Sequence, residues 1–514
     1  MNPSQRVVLN TVVTYGRSII AVGLMLFSSR WVLNALGQTD FGLYSVVGSI
    51  IVFITMINVV MAGSVARYYA YALGRGNLGE VNHWFNIALL IHLGLATVLV
   101  LIGWPVGEHI IAHILTIPAD RIMACLWIFR LSIFAAFISM ISMPFVAMFM
   151  AMQRMVEQAC WLMLQSVSVF FLAMNLGRVT GDRLIFYAAG MVIILVCVQI
   201  GQVIHAMAVF KDCRIRLRYW RDGARMREAF SFASWILVGN LGVTVRDQGA
   251  AILLNLHFGP KINAAYGIAN QVAAAANMFT NAMFGALSPE MASSEGRGDR
   301  ARMLYLAQCA SKLGTILIML FAIPLITEMD YVLNLWLRNP PAYAALFCQL
   351  ILVTMLIDRL SAGSMLAVNA HGKIAVYQVT LGICYILTLP LAWIFLKMGA
   401  PPPSIGFAFI IIMSIITIGR TFLMRRLLAV SLRQWAREVL LPCVGTALVS
   451  VVAVSVPVLL LDPSFTRLAI TTAFGMLTVV LTAWFFAFDD RERKFFRHNA
   501  LKLLGKMHLL GWGG

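Results

Sequence analysis

The chain has 514 residues, 61% of them hydrophobic and only 12% charged, with 39 Lys and Arg against 21 Asp and Glu and a formal net charge of +18. A soluble protein carries about 25% charged residues, and a soluble chain of this length divides into domains that each need a polar surface. No window outside a few short loops is polar enough to supply one, which excludes an ordinary soluble enzyme and leaves an all-α polytopic membrane protein.

The apolar runs are about 20 to 27 residues long and do not alternate, as helices crossing a roughly 30 Å hydrocarbon layer require; barrel strands are about 10 residues with period two. Fourteen transmembrane helices are predicted, at 10–34, 41–66, 84–104, 125–150, 157–177, 184–209, 231–257, 263–287, 307–327, 342–368, 374–397, 403–424, 437–460 and 466–487. The start at Met1–Gln5 shows no basic region before a short apolar core, so the first helix is expected to direct insertion. Lys and Arg are retained on cytoplasmic segments. With the N-terminus inside, the outer loops hold only five of the 39 and the inner segments most of the rest. Seven lie in the loop 210–230: Lys211, Arg214, Arg216, Arg218, Arg221, Arg225 and Arg227. Both termini are therefore expected in the cytoplasm, and the positive charge is a membrane signal, not a nucleic-acid footprint. The eight cysteines stand singly, mostly within predicted helices, and read as small apolar fillers.

Residues 37–76 match a stretch 222 positions later. The identities are Gly37 with Gly259, Tyr44 with Tyr266, Met56 with Met278, Met61 with Met283, Gly63 with Gly285, Ala70 with Ala292, and Gly74-Arg75-Gly76 with Gly296-Arg297-Gly298. An offset of six helices, an even number, predicts two parallel repeats related by an axis along the membrane normal. The expected organisation is an N-lobe of helices 1–6 (1–210), a basic cytoplasmic linker (211–230), a C-lobe of helices 7–12 (231–430), helices 13 and 14 (431–488) and a basic amphipathic tail (489–514).

Several blocks carry a resemblance: Asp40-Phe41-Gly42-Leu43-Tyr44-Ser45, Ala66-Arg67-Tyr68-Tyr69, Pro144-Phe145-Val146-Ala147, Met152-Gln153-Arg154-Met155, and above all Asn255-Leu256-His257-Phe258-Gly259-Pro260 with Asn263-Ala264-Ala265-Tyr266-Gly267-Ile268-Ala269-Asn270-Gln271-Val272. Over roughly residues 5 to 430 the chain resembles the polysaccharide-transporter branch, the O-antigen and exopolysaccharide flippases, of the multidrug/oligosaccharidyl-lipid/polysaccharide (MOP) exporter superfamily. It departs from the family after helix 4, where Met152-Gln153 replaces a polar His-Glu pair. The resemblance implies a MATE-like fold of two lobes about a central cavity. It also implies alternating access that moves undecaprenyl-diphosphate-linked oligosaccharide from the inner to the outer leaflet of the bacterial cytoplasmic membrane, in contact with the polysaccharide polymerase and export machinery. A multidrug and toxin extrusion antiporter and a lipid II flippase of the same superfamily are the alternatives. No nucleotide loop, nucleophile elbow or metal spacing is present, so neither an enzyme nor a cofactor is expected, and a proton or sodium gradient is the expected energy source.

Polar groups inside hydrocarbon are costly and mark a cavity or a partner. The candidate cavity cations are Arg17, Arg130, Arg246 and Arg359; Arg420 is expected to snorkel to the inner headgroups. Asp247 and Asp358 are candidates for ion coupling or for charge pairing. Arg246 and Asp247, adjacent and so about 100° apart on a helix, are expected not to neutralise each other, and cross-helix pairs of Arg246 with Asp358 and Asp247 with Arg359 are the alternative. Five arginines against two aspartates favour an anionic substrate, and the planar guanidinium fork suits phosphate. Tyr44 and Tyr266 are candidates for stacking on sugar or for packing, and His92 and His205 for hydrogen-bonded packing. Cys213–Trp220, alternating basic and apolar, is expected to lie on anionic membrane lipids, as is the tail, where Phe496, Ala500, Leu503, Leu504 and Met507 recur at helical spacing.

Overall fold

A computed structural model describes residues 3–74, 78–152, 154–371, 375–428, 430–490, 492–494 and 497. Arg75 and Gly76 of the repeat, Gln153 and the tail positions Phe496, Ala500, Leu503, Leu504 and Met507 lie outside them. Among the described residues the secondary structure is helical throughout, with no strand. The helices are α1 (Pro3–Gly74), α2 (Leu78–Val98), α3 (Trp104–His109), α4 (Ile122–Ala151), α5 (Met155–Asn175), α6 (Arg183–Val209), α7 (Gly223–Phe258), α8 (Pro260–Gly296) and α9 (Arg300–Thr327). They continue as α10 (Met329–Leu337), α11 (Ala344–Arg359), α12 (Ala362–His371), α13 (Ala375–Ile386), α14 (Thr388–Lys397), α15 (Ser404–Leu428), α16 (Leu432–Trp435), α17 (Leu441–Leu460) and α18 (Phe465–Thr482).

Ten helical segments among the described residues are long and apolar enough to cross a membrane, eleven if the bent pair α11 and α12, broken by 44°, counts as one. The predicted fourteen is not reached by that measure. The first of the ten, Ile19 to Val52, includes the break at Gly37 and covers the end of one predicted span and the start of the next. Residues of α7 and α8, which carry Asn240, Arg246, Asp247, Asn263 and Gln271, fall outside the set.

The repeat is written into the backbone. α1 is two helices joined at Gly37, whose φ of 77° and ψ of 171° break the helical path. Gly259, its counterpart 222 residues on, ends α7 at φ 75° and ψ −174°. Both lie where a Cβ is strongly disfavoured, so glycine at both positions reproduces one kink twice. Beyond the kinks the two copies touch each other at equivalent positions. A Cβ on Gly42 would lie 1.7 Å from the Pro260 carbonyl oxygen and 3.1 Å from Ala264 N, and one on Gly267 would lie 2.9 Å from Ser45 Oγ. Gly42 and Ala264, like Ser45 and Gly267, are 222 residues apart, and contact between equivalent positions is the mark of a two-fold axis passing between them.

The contacts group the described residues into two units. The first comprises Met1–Ala275, Leu333–Leu350 and Ile374–Ile412, the second Ala276–Val332, Ile351–Lys373 and Met413–Gly514. In the first, α1 packs on α4, α5 and α7, α4 on α6, and α7 on α13. Leu43, Val46, Val47 and Ile50 meet Ile128, Phe129 and Ile133 of α4 and Leu184 of α6 in one buried cluster. α7 and α13 approach closely enough that a Cβ on Gly242 would lie 2.6 Å from Gly382. In the second unit α9 packs on α12, α17 and α18, with Ile316, Met319 and Ile323 against Cys443, Val454 and Val479. Buried ion pairs add to this packing: Lys312 of α9 meets Glu492, beyond α18, at 2.6 Å, and Arg467 of α18 meets the fully buried Glu328, just past α9, at 2.7 Å.

Gly42→Ala forces a methyl into the Pro260 carbonyl and is expected to cost about 1–3 kcal/mol. Gly48→Ala, whose Cβ meets nothing within 4 Å, is expected to be neutral or slightly stabilising. Thermal unfolding in detergent, read by tryptophan fluorescence, compares the two.

Candidate functional site

A cavity of about 480 Å³ opens within the first unit, between α1, α5, α6 and the start of α8. Its one charged lining residue among those described is Arg17, about one to three helical turns below Ala21, Leu24, Ser28 and Ser29 on the same helix. The remaining polar groups are neutral: Gln165 and Ser166 of α5, Ser45 of α1 and Gln271 of α8. The Ser29 hydroxyl donates to the Gln271 side-chain oxygen, tying α1 to α8 at the wall. Phe41, Tyr44 and Tyr187 supply aromatic faces, Tyr44 standing edge-on to Tyr187 with ring centroids 5.1 Å apart. A second cavity of about 400 Å³ shares Tyr44 and Met191 with the first, and its other lining residues, from α1, α4 and α6, are apolar or carry only hydroxyls.

The four predicted cavity cations separate in the structure. Arg17 lines the first cavity. Arg130 does not; its Nε donates to Glu108 Oε1 of α3 at 2.5 Å and its guanidinium lies 5.6 Å from the Trp127 ring. Arg246 Nε donates to Asp247 Oδ1 at 2.7 Å, and its guanidinium sits between the rings of Tyr385, at 4.9 Å, and Phe409, at 5.0 Å. Arg359 lies 3.3 Å from Asp358 Oδ2, donates to the Asn277 side-chain oxygen, and covers the Phe284 ring at 5.4 Å. The expectation that neighbours 100° apart on a helix cannot pair is therefore corrected. Adjacent Cα atoms are only about 3.8 Å apart, and the long arginine stem curls round the helix surface to the short aspartate beside it.

Arg420 is a second correction. It does not snorkel: 4% exposed, it donates from Nη1 to Asp358 Oδ1 at 2.7 Å and lies 3.3 Å from Ser361 Oγ. Asp358 thus holds two guanidiniums, one on each carboxylate oxygen. Asp247 keeps one oxygen on Arg246, while its backbone carbonyl accepts from Tyr266 Oη at 3.2 Å. Tyr266 is 2% exposed and packs on Phe347, whereas Tyr44 faces both cavities. His92 is buried and donates from Nδ1 to the Ala88 carbonyl at 2.8 Å. His205 accepts from Trp161 Nε1 at 3.0 Å and faces Glu157 at 3.3 Å. Glu108, Gln165, Ser166 and Gln271 were missed in the sequence. An exposed-looking acid in a predicted loop and polar side chains on two distant helices, α5 and α8, have no spacing that joins them.

Arg420→Ala strips one Asp358 carboxylate oxygen of its guanidinium and leaves the buried Arg420 site unfilled, which is expected to cost about 2–3 kcal/mol. Arg17→Ala, at a cavity wall, is expected to leave stability within about 1 kcal/mol. Monodisperse yield and thermal midpoint in the same detergent separate the two.

A family model described as "Polysaccharide biosynthesis protein" matches residues 7–295, more than half of the chain. No curated protein matches it. Among solved structures, the chain is similar to an inward-facing multidrug resistance MATE transporter of the MOP superfamily (TM-score 0.67, 13% identity, covering 82% of this chain and 98% of that one). It is similar to the lipid II flippase MurJ in an inward closed conformation (TM-score 0.67, 12% identity, 93% and 98%). A MOP superfamily transporter from Pyrococcus furiosus, described as having a binding pocket of reverse polarity, scores 0.62 at 13% identity, with 82% and 95% covered. At such identities the likeness is one of fold. The family match places the chain in the polysaccharide biosynthesis protein family, and its fold is the one shared by these MOP superfamily structures.

Proposed function

We propose that the chain is a flippase that moves an undecaprenyl-diphosphate-linked oligosaccharide, an O-antigen or exopolysaccharide repeat unit, from the inner to the outer leaflet of a bacterial cytoplasmic membrane by alternating access. The observation that carries this reading is the lining of the Arg17 cavity: one guanidinium, two amides, several hydroxyls and three aromatic rings, with no carboxylate among the described residues. Amides and hydroxyls match the neutral hydroxyls of a glycan. Aromatic faces suit sugar rings, and a planar donor fork suits a diphosphate. The solved lipid II flippase shares the fold, and its named cargo is itself lipid-linked. A cavity for amphipathic cations would call for acids in its wall, which speaks against the multidrug antiporter reading.

In this reading Arg17 takes the diphosphate, Tyr44 stacks against sugar, and both termini lie in the cytoplasm as the Lys and Arg distribution requires. Arg130, Arg246 and Arg359, each paired to an acid, are not direct ligands. A proton or sodium gradient would drive the cycle through Asp247 or Asp358, whose carboxylates are held by arginine, and the polymerase and export machinery would take the product.

Deleting the gene is expected to abolish surface polysaccharide and trap lipid-linked repeat units. The intact chain restores export, whereas Arg17→Ala at equal membrane abundance lowers the rate about tenfold or more, the worth of a lost charged hydrogen bond, and Arg17→Lys recovers part of it. Normal glycan with raised drug sensitivity in the deletion strain would replace this reading with the antiporter. Accumulation of lipid II would replace it with the peptidoglycan-precursor flippase.

A further inference from the structure

Between α6 and α7, residues 213–216 run as an irregular segment along one face of α2 and lead into a short 3-10 helix, Leu217–Arg221. Asn82 Nδ2 donates to the carbonyls of Asp212, at 2.6 Å, and Arg214, at 2.7 Å. Asn86, one turn further along α2, donates to the Arg214 carbonyl at 3.0 Å and accepts from Arg216 N–H at 2.6 Å. Two asparagine side chains so satisfy alternate backbone groups of the strip, as a neighbouring strand would. Its inner side is closed by Phe210 and Cys213, 5% and 2% exposed. Its far end is fixed by His83, which stacks on Tyr219 with ring centroids 4.2 Å apart and meets Asp222 at 3.1 Å.

This anchoring decides what faces outward. Arg214, Ile215, Arg216, Leu217 and Arg218 are all exposed, Ile215 by 54% and Leu217 by 66%. Arg218 donates to Tyr219 Oη at 2.7 Å, and that bond, with the Arg216 guanidinium nearby, holds the phenol below its ordinary range. Burial pushes the Asp212 carboxyl up, which weakens the one acid at the strip's start. A soluble anion would engage the guanidiniums and leave Ile215 and Leu217 in water. A bilayer surface satisfies both kinds of side chain at once.

We infer that residues 214–218 form a docking strip for anionic phospholipid headgroups, with Arg214, Arg216 and Arg218 on the phosphates and Ile215 and Leu217 at the acyl boundary, held in register by Asn82 and Asn86. None of these residues lines the Arg17 cavity, so the inference stands apart from the identity of the transported lipid.

The test is native mass spectrometry of the full chain released from micelles containing phosphatidylglycerol or phosphatidylcholine. The unaltered chain is expected to retain phosphatidylglycerol preferentially. Converting Arg214, Arg216 and Arg218 to Gln should reduce that preference about fivefold per arginine, and conversion to Lys should keep most of it. Asn82→Ala with Asn86→Ala keeps every arginine and should also lose preference. Hydrogen exchange of residues 212–218 in the unaltered chain supplies a readout free of misfolding, with protection expected to rise in phosphatidylglycerol nanodiscs over phosphatidylcholine ones. Equal preference in the unaltered and Gln-substituted chains overturns the inference, as does displacement of phosphatidylglycerol by soluble polyphosphate at matched phosphate concentration.

Discussion

Hydrocarbon offers a charge no partner, and most of this molecule's interior chemistry follows from that. A guanidinium cannot be neutralised by losing its proton, so each one placed among the spans must be met by an acid, a ring or water. The structure shows the first two. Arg246 has an aspartate on one side and two aromatic faces on the others. Arg130 reaches an acid on a neighbouring helix, and Arg17 is placed at a cavity. What distinguishes a candidate ligand from a structural cation here is the surface it faces, since all are arginines in apolar helices.

The second unit takes the same constraint further. Asp358 is shared by Arg359 and Arg420, Glu328 holds Arg467 and accepts from Thr471, and Lys312 is held by Glu492 and by the Ala487 carbonyl. Glu492 also accepts from Asp489 N–H while its own N–H donates to Asp489, a reciprocal cap that starts the last helix. Such pairs add little net stability over a well-packed apolar core, yet removing one member is costly. They specify which helices meet more than they strengthen the meeting.

Much of this was legible in the sequence. Composition and run length gave the helical membrane class, and a register of 222 residues gave the repeat, which reappears as the matched kinks at Gly37 and Gly259. The ion pairs were not legible, for two reasons. Helical-wheel angles describe Cβ directions, while Arg246 and Arg359 reach their neighbours with four further bonds of stem. And Arg420, near a predicted helix end, looked free to snorkel because nothing in its own helix shows that Asp358 stands within 2.7 Å. The cavity amides Gln165 and Gln271 were silent as well, because an uncharged polar residue in a span is not rare enough to single out.

The self-contact between the two copies has a consequence for what duplication made available. In a dimer of identical halves, a residue on the axis meets itself, so any enlargement is felt twice and both partners must stay small. Here Gly42 faces Ala264, and Ser45 faces Gly267. Gly42 makes room for backbone of the other copy, the Pro260 carbonyl and Ala264 N, and Gly267 makes room for the Ser45 hydroxyl, so the glycine alternates between copies. Joined in one chain, the two copies are complementary at these positions, and a symmetric crossing holds an asymmetric fit.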